Sequence, residues 1–372
     1  MSTLPIPFAE FKSQYATLRL EIDVAIQSVL DAGWFVLGEQ GKAFEQEFGA
    51  WLAPRSPVIG SGEGVVGVGS GTDAIALGLR ALGVGVGDEV VTTPLTAFPT
   101  VAAIRQLGAI PVFADIQPET LCLDPEKALE RVGPKTKALV PVHLYGQAAD
   151  LGPLLECGIP VLEDCAQSHG TRWEGRMTGT LGAIAAFSFY PTKNLGAYGD
   201  GGAVATSDPE LAARVRSLRN YGEGSQRYEH LVEGVNSRLD ELQAAILRVK
   251  LRHLEVSLAR RREIAALYDT LLQGVERPCE APYSHHTWHL YVIRTDATRR
   301  DALRQHLAER GIGTQIHYPI PQNRQPALAH LNQQDTCPVA DREAGRILSL
   351  PLYPELTDEQ IASIAEQVNT FR

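Results

Sequence analysis

The chain has 372 residues, is 44% hydrophobic and 21% charged, and carries a formal net charge of −10. This length and apolar content supply a large core, divided most simply between two domains, and no tract is polar enough for long disorder. The negative balance speaks against a generic nucleic-acid or anionic-membrane binder, whose phosphates need a cationic face, while a local pocket for one phosphorylated ligand stays compatible with it.

In chain order, an amphipathic stretch around Leu18 to Leu30 predicts a helix, Gly33-Trp34-Phe35 interrupts it, and Lys42 to Leu52 predicts a second. From Val65 to about Thr206 the pattern changes. Short β-branched runs at 89–92, 110–113, 138–142 and 159–162 alternate with helical stretches at 72–82 and 98–107. Strands alternating with helices predict βαβ units and a mostly parallel sheet buried on both faces, with ligands beyond the carboxyl ends of the strands. Runs at 184–189 and 202–206 predict two further strands flanking a loop rich in Gly and Tyr. Helices are expected at 239–254 and 260–272, then a strand at 289–294, a helix at 299–309, a strand at 314–317 and a final helix from Asp358. The expected organisation is a large domain over 1–255 and a smaller α+β domain over 256–372. Five cysteines without a C-x-x-C pair read as reduced thiols. The opening MSTLPIPFAEFKSQY lacks a basic segment followed by an apolar one, and no run of about twenty apolar residues occurs, so a soluble cytoplasmic chain with no membrane partner is expected.

Three motifs carry chemistry. In Val66-Gly67-Val68-Gly69-Ser70-Gly71-Thr72-Asp73 an apolar run meets a Gly-rich turn and then a helix, so the amides of Gly71, Thr72 and Asp73 would favour a phosphate. The bland alternative is an N-cap beside permissive glycines. A dinucleotide site competes less well, because the next strand ends in Thr92-Thr93-Pro94 rather than an acid. In 159–170 a strand ends in Glu163-Asp164, which alone could be turn residues. About thirty residues later Phe187-Ser188-Phe189-Tyr190-Pro191-Thr192-Lys193 sets a lysine after an apolar strand. A lone loop lysine is usually a solvated charge. Together the parts read differently: Lys193 as an imine-forming amine, Asp164 as partner of a pyridine nitrogen, Gly71, Thr72 and Ser188 around a phosphate, and Phe98 stacked on a flat ring. That set points to pyridoxal 5′-phosphate. His285-His286 with His289 has metal-like spacing but no carboxylate or thiol partner, and reads as a solvated loop.

With GSGTDAIAL, LEDCAQSHG, FSFYPTKNLGAYGDGG, NSRLDELQAAIL, WHLYVIR and GIGTQIHYPIP in this order, the chain resembles the DegT/DnrJ/EryC1/StrS family of sugar aminotransferases over nearly its whole length. The resemblance implies the fold type I, aspartate aminotransferase-like architecture: a mostly parallel seven-stranded sheet in the large domain and a smaller C-terminal domain. It implies that Lys193 holds the cofactor as a Schiff base and shuttles a proton, that Asp164 pairs with the ring nitrogen, and that Gln167 lies near the ring's phenolic oxygen. Asn236 would reach the neighbouring subunit's cofactor, making the enzyme a homodimer with shared sites. The substrates implied are L-glutamate and a nucleotide-linked keto sugar, aminated at C3 of a dTDP-3-keto-6-deoxyhexose, with C4 amination or a UDP-3-keto sugar as alternatives. Tyr221, Tyr228, Arg238, His317 and Tyr318 are the candidates to line the sugar site. Family dehydratases have a histidine where Lys193 stands, so amine transfer is favoured over dehydration, and the intact set Lys193, Asp164, Gln167 and Ser188 favours it over a non-catalytic regulator. His169 is expected to pack or hydrogen-bond locally.

Overall fold

The computed structural model describes residues 5–331 and 336–371. Helix α1 (Lys12–Ala32) stops at Gly33, whose φ of 64° and amide bonds back to Val29 and Leu30 form a left-handed C-cap. Helix α2 (Glu39–Leu52) begins where the carboxylate of Glu241 accepts from the Gly38, Gln40 and Gly41 amides at 2.9, 2.7 and 2.9 Å. An acid there satisfies amides the helix leaves open and meets the positive end of its dipole.

The central strands are β1 (Val65–Val68), β2 (Glu89–Thr92), β3 (Ile110–Phe113), β4 (Thr136–Val140), β5 (Leu162–Asp164), β6 (Ile184–Ser188) and β7 (Gly202–Ala205). They pair as β1-β7-β6-β5 and as β3-β2-β4. The β2–β3, β2–β4 and β5–β6 ladders are parallel, whereas β7 runs antiparallel to both its neighbours. Parallel bridges Leu139↔Val161 and Val142↔Asp164 lie between the two sets. Residues of β1, β6 and β7 are buried throughout, which explains their uninterrupted apolar sequence. Helices α3 (Gly71–Ala81) and α4 (Phe98–Gln106) cover one face, where Ile75, Leu79 and Ile104 join Val66, Val90 and Val204 in one core cluster.

Several boundaries differ from the sequence reading. The run at 159–162 pairs as a strand only from Leu162, because Pro160 has no amide to donate; its carbonyl takes the Leu139 amide instead. Helix α5 (Pro209–Leu218), absent from the reading, starts from Asp208, whose side chain caps the Glu210 and Leu211 amides. The helix expected at 239–254 is α6 (Glu241–Arg252), and the one expected at 260–272 extends back as α7 (Leu254–Leu271) after a break at His253. The strand β8 (Tyr291–Arg294) pairs antiparallel with β9 (Ile347–Leu350), flanked by α8 (Arg300–Ala308) and α9 (Asp358–Thr370). The expected strand at 314–317 does not form. Gln315 alone bridges Ser349, because the Gly313 amide turns instead to the carbonyl of Ile6. Ile6 thereby joins the C-terminal cluster of Tyr268, Tyr291, Leu348 and Ile364, so the N-terminal segment packs against the end of the chain.

The histidines at 285–289 are also corrected: His286 and His289 are buried rather than solvated. His286 accepts the Trp288 amide and stacks on that indole at 3.9 Å between ring centroids, a packing that apolar surroundings reward and the spacing alone did not reveal.

Beneath the carboxyl end of β5, Glu163 is fully buried. It accepts the amides of Gly179, Leu181 and Gly182 at 2.7–2.8 Å and faces the His143 ring at 3.0 Å. Burial pushes its pKa up, but the His143 contact and the backbone amides outweigh this and hold it below the ordinary carboxylate range. His143 and Glu163 are grouped with Cys165 at metal-ligand distance, yet the carboxylate is already used as a clamp on the 179–182 turn. Glu163→Gln should therefore lower unfolding stability by about 3 kcal/mol, because its amide group turns donors toward donors. Urea unfolding at pH 7 checks this. Since the folded pKa is depressed, the stabilisation is present at neutral pH and is lost as pH falls below the ordinary value of 4.5.

Candidate active site

At the carboxyl ends of β1, β5 and β6 lies a cavity of about 350 Å3 lined by Gly71, Thr72, Thr100, Asp164, Gln167, Ser188 and Lys193, among others. The sequence motifs thus converge on one space although 122 positions separate Gly71 from Lys193 in the chain (193 − 71).

The floor is the start of α3. Ser70 caps the helix by accepting the Asp73 amide at 3.1 Å, which removes Asp73 from the expected phosphate donors and leaves the Gly71 and Thr72 amides facing the cavity. The Asp73 carboxylate is held aside by the Ser237 hydroxyl at 2.7 Å. Gly71 is required here for space: a Cβ would sit 2.6 Å from that of Ser188, so any side chain would displace the hydroxyl that shares this corner.

Asp164 forms the opposite end. It is buried, and its two oxygens accept from Thr100 Oγ1 at 2.9 Å and from the Ala166 amide at 3.1 Å. Thr100 in turn contacts Thr96 at 3.0 Å. Burial raises the Asp164 pKa, while the Ala166 amide, Thr100 and the nearby Lys193 charge oppose the rise. The two threonines were missed in the sequence. Thr100 lies in the first turn of α4, while Thr96 precedes the helix and reaches it from the loop after β2, so no helical spacing announced the pair. The same turn points Phe98 away: it is 40% exposed and does not line the cavity, whereas Ala97 and Pro99 do.

Lys193 sits in a turn closed by its own amide on the Tyr190 carbonyl at 2.8 Å. Burial lowers its pKa to about 8, against the pull of the Asp164 charge. Its neighbours are uncharged for the same reason. His169 is pushed down to about 3 and His317 to about 4, chiefly by burial, with the lysine's own charge adding to both. His169 packs between Phe187 and Phe189, but neither of its ring nitrogens has a hydrogen-bond partner, so only the packing half of its expected role is seen. In cofactor-free protein the rate of imine formation at Lys193 should rise with pH to a midpoint near 8 rather than near the 10.5 of a free lysine. Stopped-flow absorbance with pyridoxal phosphate against pH measures this, and a midpoint above 10 would contradict it.

Gln167 is fixed by two bonds: Oε1 accepts the Tyr145 amide at 2.7 Å and Nε2 donates to the Tyr318 hydroxyl at 3.0 Å. Lys193 and Gln167 also line a second cavity, together with His317 and Tyr318. The remaining sugar candidates lie elsewhere. Tyr221 and Tyr228 are exposed and line a separate open hollow formed by 220–234, and Arg238 bonds the Asn220 amide oxygen at 2.9 Å beside the Tyr221 ring. Asn236 is exposed and bridges Asn220.

The DegT/DnrJ/EryC1/StrS aminotransferase family model matches residues 17–369. The chain belongs to this family. It is 44% identical over 98% of its length to the dTDP-3-amino-3,4,6-trideoxy-alpha-D-glucose transaminase of Streptomyces venezuelae, covering 96% of that protein. It is also 44% identical over 97% of its length to a UDP-N-acetyl-3-dehydro-alpha-D-glucosamine 3-aminotransferase of Acidithiobacillus ferrooxidans, covering 96% of it. Among solved structures, S. venezuelae DesV in complex with a ketimine intermediate superposes with a TM-score of 0.92 at 44% identity, over 99% of this chain and 98% of that one. The chain is an aminotransferase, and aminotransferases of this family use pyridoxal phosphate.

Proposed function

We propose that this aminotransferase moves the amino group of L-glutamate onto C3 of a dTDP-linked 3-keto-6-deoxyhexose. The observation that carries the reading is the single cavity in which a lysine of lowered pKa meets a buried, hydrogen-bonded carboxylate at one end and a helix N-terminus at the other. The residues present fit the cofactor: Gly71 clears the corner beside Ser188 for a phosphate, and Asp164 is oriented by donors that leave its charge available to a ring nitrogen. When bound, pyridoxal phosphate supplies a carbonyl that captures amines and a ring that withdraws electrons from the bond being broken.

The chain's own residues do the rest. The Gly71 and Thr72 amides and the Ser188 hydroxyl hold the phosphate. Asp164 keeps the ring nitrogen protonated, and Gln167 orients the phenolic oxygen. With the cofactor bound, Lys193 would anchor it through its amine and, when free, would accept the proton from the donor Cα. The order is ping-pong: glutamate leaves as 2-oxoglutarate before the keto sugar reacts. Lysine rather than histidine at 193 supports amine transfer over dehydration.

We read the two strand sets as one seven-stranded, mostly parallel sheet of the fold type I kind, with the division 1–255 and 256–372 retained. We also read the enzyme as a cytoplasmic homodimer in which Asn236, Tyr221, Tyr228 and Arg238 act on the neighbouring subunit's site. The exposure of Asn236, Tyr221 and Tyr228, away from their own subunit's cavity, supports this, with the partly buried Arg238 beside them, as does the exposed apolar strip Trp34-Phe35-Val36-Leu37. The equal identity to a UDP-sugar 3-aminotransferase supports a UDP-3-keto sugar as second reading. Incubation with glutamate and a panel of dTDP- and UDP-keto sugars, read by product mass and amine position, tests both. Formation of no amino sugar from any 3-keto substrate would overturn them.

A further inference from the structure

The loop between β6 and β7 that carries Lys193 is fastened from behind by one helix. Its own backbone bonds run from the Lys193 amide to Tyr190, from Ala197 to Phe189 and from Phe189 to Gly201, each at 2.8 Å. These close the two ends of the loop, and α6 holds its middle. Leu195 and Ala197 enter one core cluster with Ala244, Leu247 and Leu251 of α6. Gln243 Oε1 accepts the Tyr198 amide at 2.9 Å. About two turns further along the same helix face, Lys250 Nζ donates to the Gly196 carbonyl at 2.6 Å and lies 4.7 Å from the centre of the Tyr198 ring.

Lys250 is buried, and its hydrogen bond goes to a neutral carbonyl rather than to an acid. Burial lowers its pKa to about 8, opposed by the charge of Glu355. Holding an ammonium there costs stability that a methionine of similar volume would not. The atom it contacts, three residues beyond Lys193, accounts for its presence. Neither Lys250 nor Gln243 lines the cavities beside Lys193, so neither meets a ligand there. A lysine that anchors a cofactor and also carries a proton has to move its side chain while its backbone stays in place. Resting on the reading of Lys193 as that lysine, we infer that Lys250 and Gln243 are positioning residues. They fix the backbone at 196–198, so that the Lys193 amine is presented at one place and returns to it after each transfer.

The test mixes cofactor-free protein with pyridoxal phosphate and follows imine formation by absorbance across pH. In Lys250→Met the rate should fall about tenfold at every pH, since misplacing a reacting group by about an ångström costs up to about 10^2-fold. The midpoint should stay near 8, because burial and Asp164, not Lys250, set the Lys193 pKa. Affinity for pyridoxamine phosphate, which forms no bond to the lysine, should change little. Gln243→Leu leaves the buried cation in place and should show a smaller fall of the same kind, which keeps the proposal testable if Lys250→Met does not fold. Rates near that of wild type in the folded variants would overturn the proposal. So would a midpoint moving toward 10.5 together with a matching loss of pyridoxamine phosphate affinity, which marks general loosening rather than a misplaced amine. A wild-type protein that forms no imine with pyridoxal phosphate would instead overturn the reading of Lys193 on which the proposal rests.

Discussion

Lys193→Ala should reduce kcat by at least about 10^3-fold, the scale on which a positioned proton carrier acts, with a further loss because the cofactor is no longer anchored. The corner proposed to hold the phosphate is lined by Gly71, Thr72 and Ser188, so on that reading pyridoxamine phosphate should still bind with little change in affinity. Lys193→Arg should be equally inactive, since a guanidinium stays protonated and cannot accept the proton. The measurement is single-turnover absorbance with glutamate alongside equilibrium binding of pyridoxamine phosphate. Turnover within tenfold of wild type in either variant would remove Lys193 from the chemistry.

Asp164→Asn should lower kcat by about 10^2- to 10^3-fold, the range for losing one preorganised electrostatic contact in a water-poor site. Burial already works against the Asp164 charge, and Thr100 and the Ala166 amide counter it. A protonated ring nitrogen placed there would add a stronger counter-charge, so the variant loses the interaction that justifies a buried acid. The asparagine keeps the shape and can keep the Thr100 contact through its oxygen, so folding should be little changed. Thermal melting together with steady-state kinetics separates the two effects. A kcat near that of wild type would show that ring protonation does not depend on Asp164.

The motifs that proved legible were those in which the chain's local order is itself the site. A glycine turn opening a helix, an acid ending a strand, and a lysine after the next strand could each be placed from the βαβ pattern, because such a sheet puts every one of those ends on one edge. The sugar candidates could not be sorted in this way. His317 and Tyr318 come to the Lys193 cavity, whereas Tyr221 and Tyr228 lie on an exposed hollow, and nothing in their spacing separates the two pairs. Phe98 illustrates a different limit: its identity suits stacking, but one residue's turn about a helix axis decides whether it faces the ligand. The 314–317 segment has a strand's composition and loses its ladder to a contact with Ile6, more than 300 positions away, which no local window contains.

Glu163 and Asp164 are consecutive residues of one strand, so the pleat sends them to opposite sides, one into the clamp on the 179–182 turn and the other into the cofactor cavity. The acid proposed to tune the ring therefore rides on backbone already immobilised for the sake of the fold. Each catalytic cycle begins with that charge in place, with no orientational search to repeat. Any change that loosens the turn would be felt first as blurred chemistry, before the protein as a whole gives way.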